Sequence, residues 1–225
     1  MGKRSAKDEL FDAFSAVAKA LSSGRRAELV DVLAQGERSV EELADEIDQS
    51  VANTSHHLRA LAQAGLVTTR RDGTRIYYSL ASERVGELWA ALRDVAAEHV
   101  AGVDRLARAY LGADSAIETI TREELAQRLR KRDVVVLDIR PTAEFEAGHI
   151  QGARSIPPDE VQRRLRDVND DVEIVAYCRG PFCVYANDAV RALRRRGVDA
   201  RRLEDGFPEW RRAGLPVASG TGDGT

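Results

Sequence analysis

Cysteine is scarce in this chain. Its 225 residues hold two, Cys178 and Cys183, and none earlier. Two cysteines five positions apart do not make a disulfide-stapled scaffold; away from oxidising compartments they more often react or bind metal than staple a fold. Long apolar runs are missing as well. No stretch approaches the ~20 residues that cross a bilayer. The start, "MGKRSAKDEL", lacks the apolar core of a secretory signal. A cytoplasmic protein with no membrane partner is therefore expected. There is no internal repeat, so two halves of different pattern are two different domains. Net charge is only -3, which by itself points to no nucleic-acid partner. With 43% hydrophobic and 32% charged residues the composition is that of an ordinary globular protein.

The local charge distribution is more telling than the sum. Residues 37–48 carry six acids against Arg38, whereas residues 49–78 carry Arg59, Arg70, Arg71 and Arg75 against Asp72 alone. The pattern from 8 to 111 is helical with one interruption. "LFDAFSAVAKAL" and "GRRAELVDVLAQG" have apolar residues at helical spacing. "SVEELADEI" opens with a capping signature, Ser39 with Glu42 three residues on. "SVANTSHHLRALAQAG" predicts a further helix capped by Ser50 and closed by Gly65. The interruption is "LVTTRRDGTRIYYSL", two β-prone runs around Asp72-Gly73, a hairpin signal. A long helix is expected over 82–111. Its wide apolar face, from Val85 and Leu88 to Leu106 and Tyr110, exceeds the needs of a small domain and suits burial against a second copy.

Two helices, a short turn and a hairpin make a winged helix-turn-helix. On a helical wheel of 50–64, Thr54, His57, Leu58 and Leu61 share a face that should pack on the core. Ala52, Asn53, Ser55, His56 and Arg59 share the opposite face. These are small or hydrogen-bonding side chains near a helix N-terminus, as entry to a major groove requires. Arg70, Arg71 and Arg75 on the hairpin are candidates for phosphate or minor-groove contacts. The run from "GRRAELVDVLAQG" through "SHHLRALAQAGLV" to the wing "RRDGTRIYYSL" resembles the ArsR family of dimeric winged-helix repressors over 8–111. The resemblance implies double-stranded operator DNA as partner and a homodimer formed through the first helix and the helix 82–111. Many members sense metals through a Cys-x-Cys, but the matching "ELADEI" has none. The last helix offers only His99, which reads better as a packed or interface residue than as a ligand; Glu87, Glu98 and Asp104 complete no set with it. No metal site or cofactor is expected.

After residues 112–120, read as a linker, the period changes. "VVVLDI" (134–139) and "VEIVAYC" (172–178) are continuous β-branched runs, as in buried parallel strands. Helical segments "EELAQRLRKR", "DEVQRRLRDV" and "YANDAVRALRRRG" alternate with them, predicting an α/β domain over 121–218 with a parallel sheet flanked by helices. Residues 219–225 read as a flexible tail. The arginines of "RALRRRG" and "ARRL" suit a solvated face, with a second contact to DNA or an acidic partner as the alternative.

Cys178 ends a strand, residues 179–183 form a short loop, and a helix begins near Val184. Such a loop turns backbone N–H groups inward, and the helix adds its positive end, both of which stabilise a thiolate. Arg179 would add charge and Gly180 lets the loop curl. "VVVLDIRPTAEFEAGHIQGARSIP", "VAYCRGPFCVYANDAVRALRRRG" and "DGFPEWRRAGLPV" resemble the rhodanese family of sulfurtransferases over 117–218. The resemblance implies that Cys178 takes a sulfane sulfur from thiosulfate, a polysulfide or a persulfide and holds it as Cys-S-SH, cradled by loop residues Arg179, Gly180, Pro181, Phe182 and Cys183. Asp138 joins Cys178, Arg179 and Cys183 in the candidate catalytic set; it and Arg140 follow the first long strand, where the family's matching residues have a structural or orienting role. Glu144 and His149 fall at mostly structural positions. Cys183, where the family commonly has no second thiol, is either a tolerated small residue or a resolving cysteine that expels hydrosulfide and leaves a disulfide. Two functions follow: a transcriptional regulator sensing reactive sulfur or oxidants through Cys178, or a sulfurtransferase whose DNA-binding half serves localisation or autoregulation.

Overall fold

The computed structural model describes residues 2–112, 117–165 and 172–221. The chain divides into two compact units, 1–98 and 99–225.

In the first unit, helices α1 (Lys3–Leu21) and α2 (Gly24–Leu33) lead to a short strand β1 (Arg38–Ser39) and then to α3 (Val40–Glu46) and α4 (Val51–Gln63). Strands β2 (Val67–Asp72) and β3 (Arg75–Leu80) form the hairpin, and α5 (Glu83–His99) follows. The capping signature at α3 closes in both directions. Ser39 Oγ accepts from the Glu42 N–H at 3.3 Å, and the Glu42 carboxylate accepts from the Ser39 N–H at 2.7 Å. Ser50 Oγ accepts from the Asn53 N–H at 3.2 Å and fixes where α4 begins. The hairpin pairs antiparallel from Val67↔Leu80 to Asp72↔Arg75. β1, not foreseen from sequence, pairs with β3 and makes a three-stranded wing sheet. Leu29, Val30, Leu43, Ile47, Leu58, Leu61 and Leu66 form the buried core. Each such side chain contributes ~1.5–3 kcal/mol by leaving water. Trp89 Nε1 donates to Asp31 Oδ1 at 2.6 Å and ties α5 to α2.

The helix expected over 82–111 is two helices. α5 ends at His99, and α6 (Val103–Leu111) begins after Gly102, whose φ of +92° is a left-handed conformation that interrupts helical geometry. α6 belongs to the second compact unit. His99 is exposed at the end of α5.

The second unit continues with β4 (Thr119–Ile120), α7 (Arg122–Lys131), β5 (Val134–Asp138), α8 (Thr142–Ala147), β6 (His149–Ile150), β7 (Arg154–Ser155) and α9 (Val161–Arg164). It closes with β8 (Glu173–Tyr177), α10 (Val184–Arg194), β9 (Ala200–Leu203), α11 (Phe207–Arg212) and β10 (Val217–Ala218). The main sheet has the order β4-β9-β8-β5-β7, every pair parallel, and β10 pairs with β6 in a small antiparallel ribbon. Alternation explains the continuous apolar runs. Val134, Val136, Val175 and Tyr177 enter one core, and Leu137, Ile174 and Ala176 enter the core on the other face.

The expected linker 112–120 is corrected at its end: Thr119 and Ile120 are an edge strand paired with Arg202 and Leu203. Its residues 113–116 lie outside the described residues, as do 166–168 of the helix expected over 159–168 and 222–225 of the tail. The described start of that tail is tied down, Gly220 donating to the Glu146 carbonyl at 2.8 Å. Among the described residues no helix is long and apolar enough to cross a membrane.

Candidate functional site

Cys178 follows the central strand β8 directly, at the carboxyl end of the sheet, where open α/β sheets place their ligand sites. The loop is short and Cys183 is the residue before the first turn of α10. Cys178 and Cys183 are joined as a disulfide, with Cα atoms 6.1 Å apart. Cys178 is buried and Cys183 half-buried. The Cys183 N–H donates to the Gly180 carbonyl at 3.2 Å, a turn that folds the loop back on itself. Backbone N–H groups of such a turn and of a helix start together form an electropositive nest.

The segment that carries Gly206 holds the loop from outside. The Phe207 N–H donates to the Cys178 carbonyl at 3.1 Å. A Cβ at residue 206 would run into the backbone of Arg179 and Gly180, so only glycine allows this approach. Glu209 fixes the segment by accepting from the Gly206 N–H at 3.0 Å.

Two ion pairs brace the loop, one fully buried and one part-buried. Arg179, expected to lend its charge to the sulfur site, instead clamps the buried Glu144, Nη2 to Oε1 at 2.6 Å and Nε to Oε1 at 3.0 Å. A forked guanidinium engaged in this way fixes geometry, and its charge is already matched. Asp138 is bound by Arg140 at 2.6 Å and accepts a hydrogen bond from the Tyr177 hydroxyl. Arg140 also donates to the Gly148 carbonyl at 2.7 Å, and Tyr177 accepts from the Ile150 N–H at 3.1 Å. Burial and the Asp138 carboxylate push the Tyr177 phenol well above its ordinary pKa, so it stays a donor. Asp138 therefore lies in the supporting layer under the strand ends. His149 stacks on Phe145 at 3.7 Å between ring centroids and bonds the Phe145 carbonyl through Nδ1. Sequence reasoning put Glu144 and His149 at structural positions but missed Tyr177, whose only signal was its place before the cysteine.

In the first unit α4 presents Ala52, Asn53, His56 and Arg59 to solvent, with Ser55 half-buried. Thr54, Leu58 and Leu61 are fully buried on the opposite face. Asn53 Nδ2 donates to Gln49 at 3.0 Å. His57 is half-buried; burial first, then Arg26, His56 and Arg25, lower its pKa. The three hairpin arginines are not equivalent. Pairing places Arg70, Asp72, Arg75 and Tyr77 on one face of the ribbon and Arg71 on the other. Arg70 is held by Glu37 at 2.6 Å and Asp72 at 3.3 Å, and lies 4.6 Å over the Tyr77 ring. It braces the wing instead of standing free for phosphate. Arg71 and Arg59 are exposed and form no ion pair among the described residues. Of the six arginines in "RALRRRG" and "ARRL", five are engaged: Arg191 with Leu111 and Asp188, Arg194 with Ala200 and Glu118, Arg196 with Leu165, Arg201 with Glu173, Arg202 with Pro181. That leaves little for a second DNA contact. Among the described residues no group of three His, Cys, Asp or Glu could hold a metal ion.

These features define a two-part molecule, a winged helix-turn-helix unit followed by an α/β unit of rhodanese type with a two-cysteine loop at the strand ends of its parallel sheet. Residues 23–69 match the bacterial regulatory protein family arsR, and residues 121–213 match the rhodanese-like domain. The HTH-type transcriptional regulator Rv0324 of Mycobacterium tuberculosis is 46% identical over 219 residues, covering 97% of this chain and 96% of that protein. The chain belongs to the ArsR family of transcriptional regulators and carries a C-terminal rhodanese domain. A sulfurtransferase of Allochromatium vinosum is 32% identical over 108 residues, 47% of this chain and 99% of that one. The homodimeric winged helix-turn-helix fragment 1–100 of Mb0332 from Mycobacterium bovis is 44% identical and covers 44% of this chain and 91% of that one, with a TM-score of 0.41.

Proposed function

We propose that this regulator reads reactive sulfur through Cys178 and Cys183 and converts the reading into altered operator affinity. The observation that carries the proposal is the pairing of the two thiols across one short loop at the strand ends. The chemistry balances without a further oxidant. Cys178 thiolate attacks the outer sulfur of a persulfide R-S-SH, giving Cys178-S-SH and R-S⁻. Cys183 thiolate then attacks the Cys178 sulfur, the Cys178–Cys183 disulfide forms, and HS⁻ leaves with the electron pair of the broken S–S bond. The sulfane sulfur is reduced to sulfide and the two thiols are oxidised. Before resolution, the N–H groups of Gly180 and Phe182 would cradle the persulfide anion.

DNA would be read by α4, with Asn53, His56 and Arg59 toward base edges and Ala52 and Ser55 allowing close approach. Arg71 and Arg75 would meet phosphates. A homodimer would form through α1 and α5, where Leu10, Phe11, Phe14, Leu88, Leu92 and Val95 are exposed. Its two recognition helices would address a pseudo-palindromic operator.

The test is operator titration before and after treatment with a polysulfide donor, with mass spectrometry of Cys178 and Cys183 on the same sample. Affinity should change at least tenfold in the parent. The Cys178→Ser protein should not respond, and Cys183→Ser should accumulate the persulfide without the disulfide. Unchanged parent affinity, with the cysteines demonstrably modified, rejects the sensor. The likeness to the A. vinosum sulfurtransferase favours a second reading, a transferase turning over thiosulfate or polysulfide. Absence of Cys178-dependent turnover with any sulfane donor would reject that one.

A further inference from the structure

We propose that the hollow between α6, α10 and β9 binds a small divalent oxyanion. The hollow has a volume of about 230 Å³ and is lined by Arg108, Arg191, Arg202, Asn187, Thr119 and Leu111, among others. Three guanidinium groups from three different elements line one small space, and no carboxylate is among the described residues that line it. Among the described residues only Arg191 of the three has a carboxylate partner, Asp188. Arg191 binds the Leu111 carbonyl at 2.8 Å and Asp188 at 3.1 Å, yet its Nε is buried with no hydrogen-bond partner. Arg202 donates to a neutral acceptor, the Pro181 carbonyl, at 3.0 Å. The acids nearest Arg202 are committed to other groups: Glu204 accepts from Thr119 Oγ1 at 2.9 Å, and Asp205 pairs with Arg122 at 2.9 Å. Arg108 is exposed at the rim and forms no ion pair among the described residues. Burial of Arg202 lowers its pKa, with Glu204 and Asp205 opposing.

A desolvated guanidinium facing a neutral acceptor, as Arg202 does, is costly, and so is the unpaired Nε of Arg191; an oxyanion offers what both lack. Its oxygens accept in the planar, forked geometry that guanidinium favours. The Asn187 amide can orient it, and Leu111 walls one side. The position has a consequence for the sulfur loop. Arg202 holds Pro181 within that loop, and Arg191 holds the last turn of α6. An anion shared by the two arginines would therefore join the loop to the helix that follows the break at Gly102.

Sulfate, phosphate and thiosulfate share the required chemistry, and a titration separates them. The full-length protein is titrated calorimetrically with the sodium salt of each, with sodium chloride at matched ionic strength as reference, and its thermal midpoint is followed in parallel. We expect saturable binding of one anion per chain and a raised midpoint absent in chloride. Arg108→Gln, at the exposed rim, and Arg191→Gln should each weaken binding about tenfold or more, the scale of one charge-assisted hydrogen bond. Cys178→Ser should bind as the parent does. Equal affinity for sulfate and phosphate would mark a general tetrahedral-oxyanion site, and preference for thiosulfate a sulfur-oxyanion site. The proposal is overturned if chloride gives the same shifts or if both arginine variants bind like the parent. It is also overturned if only thiosulfate binds and Cys178→Ser abolishes it, since the site would then be the loop itself.

Discussion

Between residues 1 and 98 the buried side chains are almost all aliphatic, and the buried polar ones, Gln35, Ser39 and Thr54, are uncharged. Large apolar groups stand in solvent there: on α1 Phe11 is 59% and Phe14 62% exposed, with Leu88, Leu92 and Val95 exposed on α5. Between 99 and 225 Asp138, Arg140, Glu144 and Glu209 are buried, and the ion pairs they make surround one loop. The first unit keeps an apolar surface on α1 and α5 that suits burial against another molecule. The second spends burial on charge, which replaceable apolar packing would supply with at least equal stability. What the buried charges add is position: they fix the strand ends and the loop between Cys178 and Cys183.

The contrast is broken most severely by leaving one buried charge alone. In Asp138→Ala, Arg140 and the Tyr177 hydroxyl lose a shared partner at a site without solvent. The expected loss is about 3–5 kcal/mol, confined to the second unit. Denaturant unfolding followed by tryptophan fluorescence should show an early transition for Trp210, packed in that unit's core, while Trp89 reports the first unit unchanged. Coincident transitions would mean that the units do not unfold independently.

The complementary break is at the surface of the first unit. Phe14→Glu with Leu92→Glu adds charge to the apolar faces of α1 and α5 without touching the core. If those faces are anchors, each contributes about 2 kcal/mol to association. Sedimentation should then show a monomer at concentrations where the parent is a dimer, with helical content kept. A parent already monomeric at high concentration would remove the reason given for the exposed faces.

The parts legible in the sequence are those where local physics and tertiary structure agree. Ser39 with Glu42, Ser50, the Asp72-Gly73 hairpin and the double-sided apolar strands all act within a few residues, and each forms where expected. The break of 82–111 also had a local signal, Gly102, which apolar periodicity on both sides outweighed. What was not legible lies in side chains far apart in the chain. Arg70 meets Glu37 33 positions away, and Arg179 meets Glu144 35 positions away. Each looks in sequence like an available cation, and only the fold shows it to be committed. The edge strand at Thr119–Ile120 was hidden for a similar reason: two residues carry no period, and only β9 makes them a strand.

That difference between committed and available arginines sharpens the comparison within the wing. Arg71→Ala should lower the slope of log affinity against log salt by about 1, the signature of one lost phosphate contact. Arg70→Ala should leave the slope nearly unchanged and act instead through the wing, because Glu37 and Asp72 already neutralise it. Operator titrations at several salt concentrations check both. Equal effects of the two substitutions would mean that DNA competes successfully for Arg70.

The smallest expected effect belongs to His57, half-buried on α4 behind the exposed face of Asn53, His56 and Arg59. Burial and the positive charges of Arg26, His56 and Arg25 disfavour its imidazolium, so the folded pKa lies below the unfolded value of ~6.5. The sign follows from proton counting. Between the two pKa values the unfolded chain binds the proton and the folded chain does not, so unfolding gains as pH falls. Stability of the first unit is full above ~6.5 and declines as pH drops from there toward the lower folded value. His57→Gln, which keeps a polar amide but no titration, should flatten that decline. Urea midpoints of the first unit's transition at pH 7.5, 6.5 and 5.5 measure it. The second unit, whose charges are paired rather than excluded, should not share a His57-dependent slope; if it does, the two units are coupled in folding.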